Sequence, residues 1–176
     1  AQASAGTYAG AMSGTGDLIK TGAGTLTLTG TNTYSGGTTV SAGRLTGNTT
    51  SVQGAIVNNA EVEFAQASAG TYAGAMSGTG DLIKTGAGTL TLTGTNTYSG
   101  GTTVSAGRLT GNTTSVQGAI VNNAEVEFAQ ASAGTYAGAM SGTGDLIKTG
   151  AGTLTLTGTN TYTGTTNLNA GTIKVG

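Results

Sequence analysis

Acid–base chemistry in this chain would fall to a few carboxylates. Glu61 and Glu63 are two residues apart in an alternating stretch, so both would point to the same side of a strand. Many glycoside hydrolases use two carboxyl groups about 5–10 Å apart across the scissile bond. The pair recurs unchanged at Glu125 and Glu127, with no unique residue near either copy. Because a catalytic site normally occurs once, the repetition favours a solvated surface over an enzyme that acts on polysaccharides.

Lysine and aspartate offer two further kinds of site. Lys20 is a conceivable Schiff-base amine, but its place at the end of an alternating stretch favours a solubility role at a strand edge. Asp17 follows Gly14-Thr15-Gly16, which is similar to the aspartate turns of calcium-binding β-rolls. One carboxylate cannot supply the roughly six to eight oxygen ligands of a calcium ion. We therefore expect no metal and no cofactor. The counterparts of these two residues are Lys84, Lys148, Asp81 and Asp145.

Two asparagines lie in a pattern that can be modified. The triplets Asn48-Thr49-Thr50 and Asn112-Thr113-Thr114 fit the acceptor pattern for asparagine glycosylation. Asn and Thr side chains also stabilise turns, and a turn is the simpler interpretation of both triplets.

Composition excludes several classes of function. The chain has 176 residues, including 34 Gly and 38 Thr, and has no Cys, His, Trp or Pro. Disulfide frameworks, thiolate zinc sites and histidine-based triads are therefore excluded. Six basic and seven acidic residues give a net charge of −1, which argues against a nucleic-acid partner. No apolar run approaches the roughly 20 residues that span a bilayer. The start lacks Met and any leader pattern, which predicts a segment of a longer chain.

A long internal repeat dominates the sequence. Residues 1–64 recur unchanged as residues 65–128, and a partial third copy, residues 129–176, diverges after Tyr162. Such identity indicates recent duplication or deliberate assembly from a consensus. Each copy contains three weaker units, in which a large residue precedes a Gly by two positions. These anchor residues are Tyr8, Tyr34, Val52, Tyr72, Tyr98, Val116, Tyr136 and Tyr162. A mean spacing of roughly 21 residues is the size of one β-solenoid coil.

Local patterns predict an all-β fold. Residues 25–29 read Thr-Leu-Thr-Leu-Thr, so the two Leu would face one side and the three Thr the other. Gly and Asn punctuate these stretches and suit tight corners. An antiparallel sandwich or barrel would also show alternation, but it does not explain the nested repeat. We therefore predict one continuous parallel β-helix over residues 1–176, with about eight coils and almost no helix.

Stacking the units on one another predicts two columns. Leu18, Leu45, Val62 and Leu82 would form an internal apolar stack. Outside it, one column of charges would run along the rod, with Arg44 between Asp17 and Glu61, and would break at Thr172 in the last coil. Such pairs are weak but penalise a slipped register. The full predicted column comprises Asp17, Arg44, Glu61, Asp81, Arg108, Glu125 and Asp145.

A family resemblance rests on residues 22–45. This segment, GAGTLTLTGTNTYSGGTTVSAGRL, closely resembles the autotransporter-associated β-strand repeat, also called the passenger-associated transport repeat. The match recurs at 86–109 and 150–173; Arg44 and Arg108 stand where the family commonly has a small residue or Thr. The resemblance implies a right-handed parallel β-helix in the passenger of a type V secreted bacterial protein. It also implies export through the periplasm and display at the cell surface, with anchoring by a C-terminal β-barrel outside this segment.

These observations favour a rigid stalk that supports adhesion and secretion. The alternative is that the repeat surface itself adheres, to host extracellular matrix or to the same protein on another cell, since repetition gives avidity. A polysaccharide-acting enzyme is a third possibility. Open strand edges at both ends would also allow end-to-end stacking of the isolated segment.

Overall fold

Short alternating stretches of Thr, Leu, Val and Ile form the regular structure of this protein. The computed structural model describes residues 1–176 and contains 21 strands and no helix. Those that begin in the first repeat are β1 Gly6–Tyr8, β2 Asp17–Lys20, β3 Thr25–Leu28, β4 Gly37–Val40, β5 Arg44–Gly47, β6 Ile56–Asn58 and β7 Glu61–Ala65. The second repeat contributes β8 Gly70–Tyr72, β9 Met76–Ser77, β10 Asp81–Thr85, β11 Thr89–Leu92, β12 Thr102–Val104, β13 Arg108–Gly111, β14 Ile120–Asn122 and β15 Glu125–Ala129. The third contributes β16 Gly134–Tyr136, β17 Met140–Ser141, β18 Asp145–Thr149, β19 Thr153–Leu156, β20 Thr166–Leu168 and β21 Thr172–Val175.

The chain winds around three faces. The first face is the eight-stranded sheet β1-β3-β5-β7-β10-β12-β14-β17, and the second is the six-stranded sheet β8-β11-β13-β15-β18-β20. The third face carries the sheets β2-β4-β6-β9 and β16-β19-β21. Between these two sheets, Thr97 N donates to Met76 O and Asn96 N donates to Thr114 O. Each coil therefore passes once over each face.

All strand pairs are parallel, and this confirms the predicted β-solenoid. Along the first face the register runs Leu26, Leu45, Val62 and Leu82, so stacked residues are 17 to 20 positions apart. The eight strands of this face confirm about eight coils. The coil of about 19 residues is slightly shorter than the predicted mean of about 21. Right-handed winding stays a prediction, supported by the preference of parallel crossovers for that hand.

The 64-residue repeat does not hold a whole number of coils. Leu26 and Leu45 lie on the first face, but their counterparts Leu90 and Leu109 lie on the second. In the third copy Leu154 and Ile173 lie on the third face. Each repeat therefore advances the chain by about three and one-third coils and rotates the identical surface by one-third of a turn. At about 4.8 Å per coil, one repeat adds roughly 16 Å of length.

This rotation corrects the predicted columns. Leu18 does not stack below Leu45; it lies opposite Thr38 on the third face, and Leu26 takes its place. The anchors also fail to form a single column, because Tyr8 lies opposite Leu28 rather than Tyr34. The prediction assumed three coils in each repeat. The shorter coil moves equivalent residues to a different face instead.

A continuous apolar core fills the interior. Twenty-four buried residues form one cluster, which runs from Leu28 in the second coil to Leu156 near the end. The inward residues alternate with outward ones, as in β7, where Val62 and Phe64 are fully buried and the two glutamates point outward. Phe64 also packs on Tyr72, with ring centroids 4.9 Å apart. Such a core stabilises every coil through its neighbours, as in other solenoids.

Glycine is required at the corner that follows each lysine. Gly86 has a φ of +77°, a left-handed conformation, and an added Cβ would lie 2.6 Å from the backbone oxygen of Gln66 in the coil below. The same corner occurs at Gly22 and Gly150. These corners bring successive coils close together and place the carbonyl groups described next.

Candidate functional site: charge clusters and lysine cages

Arg44 organises a cluster of paired charges on the first face. Its Nε lies 2.9 Å from Glu61 Oε2, and its Nη1 lies 3.3 Å from Glu63 Oε2. Glu63 also accepts hydrogen bonds from Thr46 Oγ1, at 3.1 Å, and from Thr85 Oγ1, at 2.7 Å. We call these five residues the charge cluster. The hydrogen bond to Glu61 raises the pKa of Arg44 above its usual value.

An identical charge cluster forms around Arg108 on the second face. Its members are Arg108, Thr110, Glu125, Glu127 and Thr149, with the Arg108 Nε 2.8 Å from Glu125 Oε2. A shallow, open depression lies beside it, between Thr89 and Arg108. Both carboxylates of each cluster are therefore engaged by an arginine. This arrangement pairs each carboxylate with an opposite charge.

The two clusters replace the single predicted column of charges. Arg44 lies opposite Glu61, and Glu61 lies opposite Asp81. Asp17, however, lies opposite Gly37 on another face, and the coil-neighbour of Arg44 on that side is Thr25. In the second cluster the register runs Thr89, Arg108, Glu125 and Asp145. The column is interrupted because the repeat turns to a new face before the next arginine.

The aspartates next to the clusters cap the following coil. Asp81 Oδ1 accepts a hydrogen bond from Gly101 N at 2.6 Å, and Asp145 Oδ1 accepts one from Thr165 N at 2.7 Å. Each carboxylate thus binds a backbone donor one coil away. No group of three or more His, Cys, Asp or Glu side chains is placed to hold a metal ion.

Three lysines are buried, and the prediction that they lie at solvent-exposed strand edges is wrong. Lys84 is 0% exposed, and its Nζ donates to Thr85 O at 2.8 Å, Gly86 O at 2.7 Å and Ala106 O at 3.0 Å. Lys20 and Lys148 are held in the same way. We call each ammonium with its three carbonyls a lysine cage. Because Ala106 belongs to the next coil, each cage joins two successive corners.

Burial sets the electrostatics of the cages. It disfavours the charged amine and lowers the pKa of Lys84 below its usual value, as it does for Lys20 and Lys148. No carboxylate faces these amines; backbone carbonyls are their only partners. Burial of the lysines could have been predicted from the sequence. Lys84 is two residues after Leu82, and period-two alternation puts both side chains on the same side of the strand.

Buried amides form a second set of links between coils, which the sequence analysis missed. Asn96 Oδ1 accepts from Met76 N at 2.7 Å in the coil below, and its Nδ2 donates to Ser115 O at 2.6 Å in the coil above. Asn32 does the same between Met12 and Ser51. The sequence pattern places asparagine at corners or in acceptor triplets and does not indicate a buried role for Asn32 or Asn96. Their inward position depends on which coils are neighbours, so local pattern alone did not indicate it.

The anchor residues mostly serve the interior. Buried members are Tyr34, Val52, Tyr72, Tyr98, Val116 and Tyr136. Tyr98 Oη shares a hydrogen bond with Thr102 Oγ1 at 2.8 Å and accepts from Gln117 N at 3.1 Å. Tyr8 is 44% exposed and Tyr162 is half-buried, because each lies in a terminal coil with only one neighbour.

Comparison with known proteins identifies the repeat. The family model described as passenger-associated-transport-repeat matches residues 18–46, 82–110 and 146–175. This chain belongs to that family. Each match covers the strands from one lysine cage to the next arginine or its counterpart. Each passenger repeat spans more than one face, and equivalent strands of the three repeats, such as β3, β11 and β19, lie on successive faces of the solenoid.

A relative agrees with this assignment. The adhesin BmaC autotransporter of Brucella suis biovar 1 (strain 1330) is 39% identical over an alignment of 194 positions, and this alignment covers 92% of this chain. The chain spans only 6% of the length of that protein. No solved structure matches the chain. The chain contains no helix of the length and hydropathy needed to cross a membrane. The molecule is thus a repeat segment of an autotransporter passenger, the secreted and surface-exposed part of such a protein.

Proposed function

We propose that this segment is a rigid stalk that holds other parts of the passenger away from the cell. The observation that carries this proposal is the uninterrupted stacking of coils. Backbone hydrogen bonds number 92, and all strand pairs join one coil to the next. One apolar cluster continues through the interior. A rod built in this way has no internal hinge and lengthens in proportion to the number of repeats.

The rotation of the repeats suits a stalk. Because each copy turns the same surface by one-third of a turn, three copies place every feature once on each face. The charge clusters and corners are therefore distributed evenly around the axis. Over a long array, the three faces have the same average composition and the same stiffness. A stalk with this symmetry resists bending equally in all directions.

Vectorial folding is part of the proposal. A newly added coil completes polar groups of the coil already formed: Ala106 O closes the cage of Lys84, and Ser115 O accepts from Asn96. Each step therefore buries apolar surface and satisfies buried donors at once. Folding of this kind outside the cell would favour outward movement of the chain through the secretion pore.

Catalysis is not part of the proposed function. The two carboxylates of each charge cluster are bound to arginine and threonine side chains. The amines of Lys20, Lys84 and Lys148 are enclosed in the lysine cages and do not reach solvent. These contacts give the cluster glutamates and the three caged lysines a structural role.

Length and binding together test the stalk. We would compare chains with one, two and four copies of residues 1–64, each ending in residues 129–176. Small-angle X-ray scattering should show the rod growing by roughly 16 Å for each added copy. Binding to host cells and to extracellular-matrix proteins should stay absent for all lengths. A maximum dimension that does not grow with copy number would contradict the stalk.

Secretion rate tests the folding part of the proposal. Leu45→Asp with Leu109→Asp places charges in the core of two coils, since both leucines are fully buried. A passenger with these changes should be secreted more slowly. The matched control is Val57→Asp with Val121→Asp, because both valines are 42% exposed. Equal secretion rates for the two double variants would refute vectorial folding as a driving force.

An adhesive repeat surface is the second candidate function. It is supported by the two identical charge clusters and by the adhesin name of the relative. The partner would be a host matrix protein or a second copy of the passenger. Successive clusters face different directions, so a flat partner can engage only every third repeat. Adhesion should then rise when copy number passes from one to four, and binding that is independent of copy number would contradict it.

A further inference from the structure

The turn after β5 fixes the side chain of Asn48 in one orientation. Its Oδ1 accepts three hydrogen bonds, from Thr50 N at 2.9 Å, Thr50 Oγ1 at 2.8 Å and Ser51 N at 3.0 Å. These three contacts hold the oxygen of the amide against Thr50 and Ser51 within the turn. The same three contacts occur at Asn112.

The amide nitrogen of Asn48 has no protein partner and is accessible. It takes part in none of the side-chain hydrogen bonds of the turn. No buried side-chain nitrogen or oxygen of this protein lacks a hydrogen-bond partner, so an unpaired Nδ2 must be accessible. Asn112 has the same surroundings in the second repeat. Both asparagines thus combine a clamped oxygen with an accessible nitrogen.

Other asparagines in the repeat lack one of these properties. Asn32 and Asn58 are buried, and their Nδ2 atoms donate to Ser51 O and Asp81 O. Asn59 is exposed, but the residue two positions later is Glu61, which has no hydroxyl group. Asn48 and Asn112 are the positions where the acceptor triplet and an accessible Nδ2 coincide.

We propose that Asn48 and Asn112 are acceptor sites for asparagine-linked glycosylation, with a nucleotide-activated hexose as the donor. In the transfer, Nδ2 attacks C1 of the sugar and a C1–N bond forms. The bond between C1 and the diphosphate oxygen breaks, and the nucleoside diphosphate leaves. One Nδ2 proton passes to a base of the separate glycosyltransferase. Hydrogen bonds to Oδ1 make the remaining amide hydrogens more acidic, which assists this step.

The folded turn accommodates the product. Glycosylation keeps Oδ1 as a carbonyl oxygen, so its three hydrogen bonds to Thr50 and Ser51 remain. The sugar extends from Nδ2 into solvent and displaces no core side chain. Asn48 follows a strand of the first face, whereas Asn112 follows β13 on the second. The one-third turn between repeats therefore separates the two sugars around the rod.

The test uses the full chain, a purified bacterial asparagine glycosyltransferase and uridine diphosphate glucose. Intact mass and peptide mapping should show two hexoses, one on Asn48 and one on Asn112. Thr50→Ser with Thr114→Ser retains the hydroxyl groups and should retain both hexoses. Thr50→Ala with Thr114→Ala should lose them, although Asn48 and Asn112 remain.

Three outcomes would overturn the proposal. One is a chain without hexose when a control acceptor protein in the same tube is modified. Another is hexose on Asn59 or Asn123 in place of the two predicted sites. The third is a modified chain whose β-sheet circular dichroism is lost, because the proposal requires the folded turn to tolerate the sugar. An unchanged spectrum with both sites occupied would support it.

Discussion

Replacement of Lys84 by Met tests whether the lysine cages stabilise the solenoid. Lys84 Nζ is the sole hydrogen-bond donor to Gly86 O and Ala106 O, whereas Thr85 O also accepts from Gln66 N. Met has a similar length and flexibility, so it fills the space without a large cavity. The substitution therefore removes the donor and leaves the carbonyl oxygens of Gly86 and Ala106, two partly buried residues, without a protein partner.

The size of the effect follows from these two oxygens. An unsatisfied buried acceptor costs about 1–3 kcal/mol, which gives about 2–6 kcal/mol for the pair. Removal of an amine whose charge is disfavoured by burial offsets part of this cost. Partial burial of Gly86 and Ala106 reduces the cost further, so we expect a net loss of about 1–3 kcal/mol in the free energy of unfolding. If an apolar side chain were more favourable than lysine at this buried position, Lys84→Met would instead increase the free energy of unfolding.

Urea unfolding monitored by far-UV circular dichroism measures the effect. The matched control is Lys174→Met, because Lys174 is exposed and its side chain makes no hydrogen bond. The control should change stability by less than about 0.5 kcal/mol. A Lys84→Met chain that unfolds at the same urea concentration as the parent, or at a higher one, would refute the structural role of the cage.

Three further predictions concern charge and burial. Amine acylation of the folded chain should label Lys174 and the N-terminus and spare the caged lysines; equal labelling in folded and urea-unfolded chains would contradict their burial. Burial raises the pKa of Tyr72 and Tyr136, so stability should be complete below about pH 10 and fall as pH rises further. Tyr72→Phe with Tyr136→Phe should move this alkaline loss, followed by circular dichroism, to higher pH. A double-mutant cycle between Arg44→Ala and Glu61→Ala should give only about 0.2–1 kcal/mol, because both side chains are more than one-third exposed; a coupling of several kcal/mol would contradict this.

The sequence predicted local structure well and buried polar groups poorly. Alternation correctly indicated that Val62 faces inward and its neighbouring glutamates face outward. The same rule, applied to Lys84 two residues after Leu82, would have placed the lysine inside. The high cost of burying an isolated lysine argues against that placement. The carbonyl oxygens that bind Nζ come from two successive coils. No local sequence pattern indicates which corners will be neighbours.

The charge clusters and the acceptor turns show the same difference between what local pattern predicts and what tertiary contacts decide. The pairing of Arg44 with Glu61 follows from stacking adjacent units, and the structure places them 2.9 Å apart. Asp17 could not be assigned in this way, because its coil-neighbour is Gly37 rather than Arg44. The acceptor triplets are visible in the sequence, whereas the accessible nitrogen of Asn48 is a property of the folded turn.

By itself, the sequence determined the strands, the corners, the inward and outward faces and the family. All of these depend on neighbours within a few residues, where alternation and glycine conformation act directly. Only the tertiary structure decided which strands pair. A coil of about 19 residues does not divide evenly into 64, and the register is set by how Leu26, Leu45 and Val62 fit above one another. That mismatch turns each identical repeat onto a new face and separates the two charge clusters.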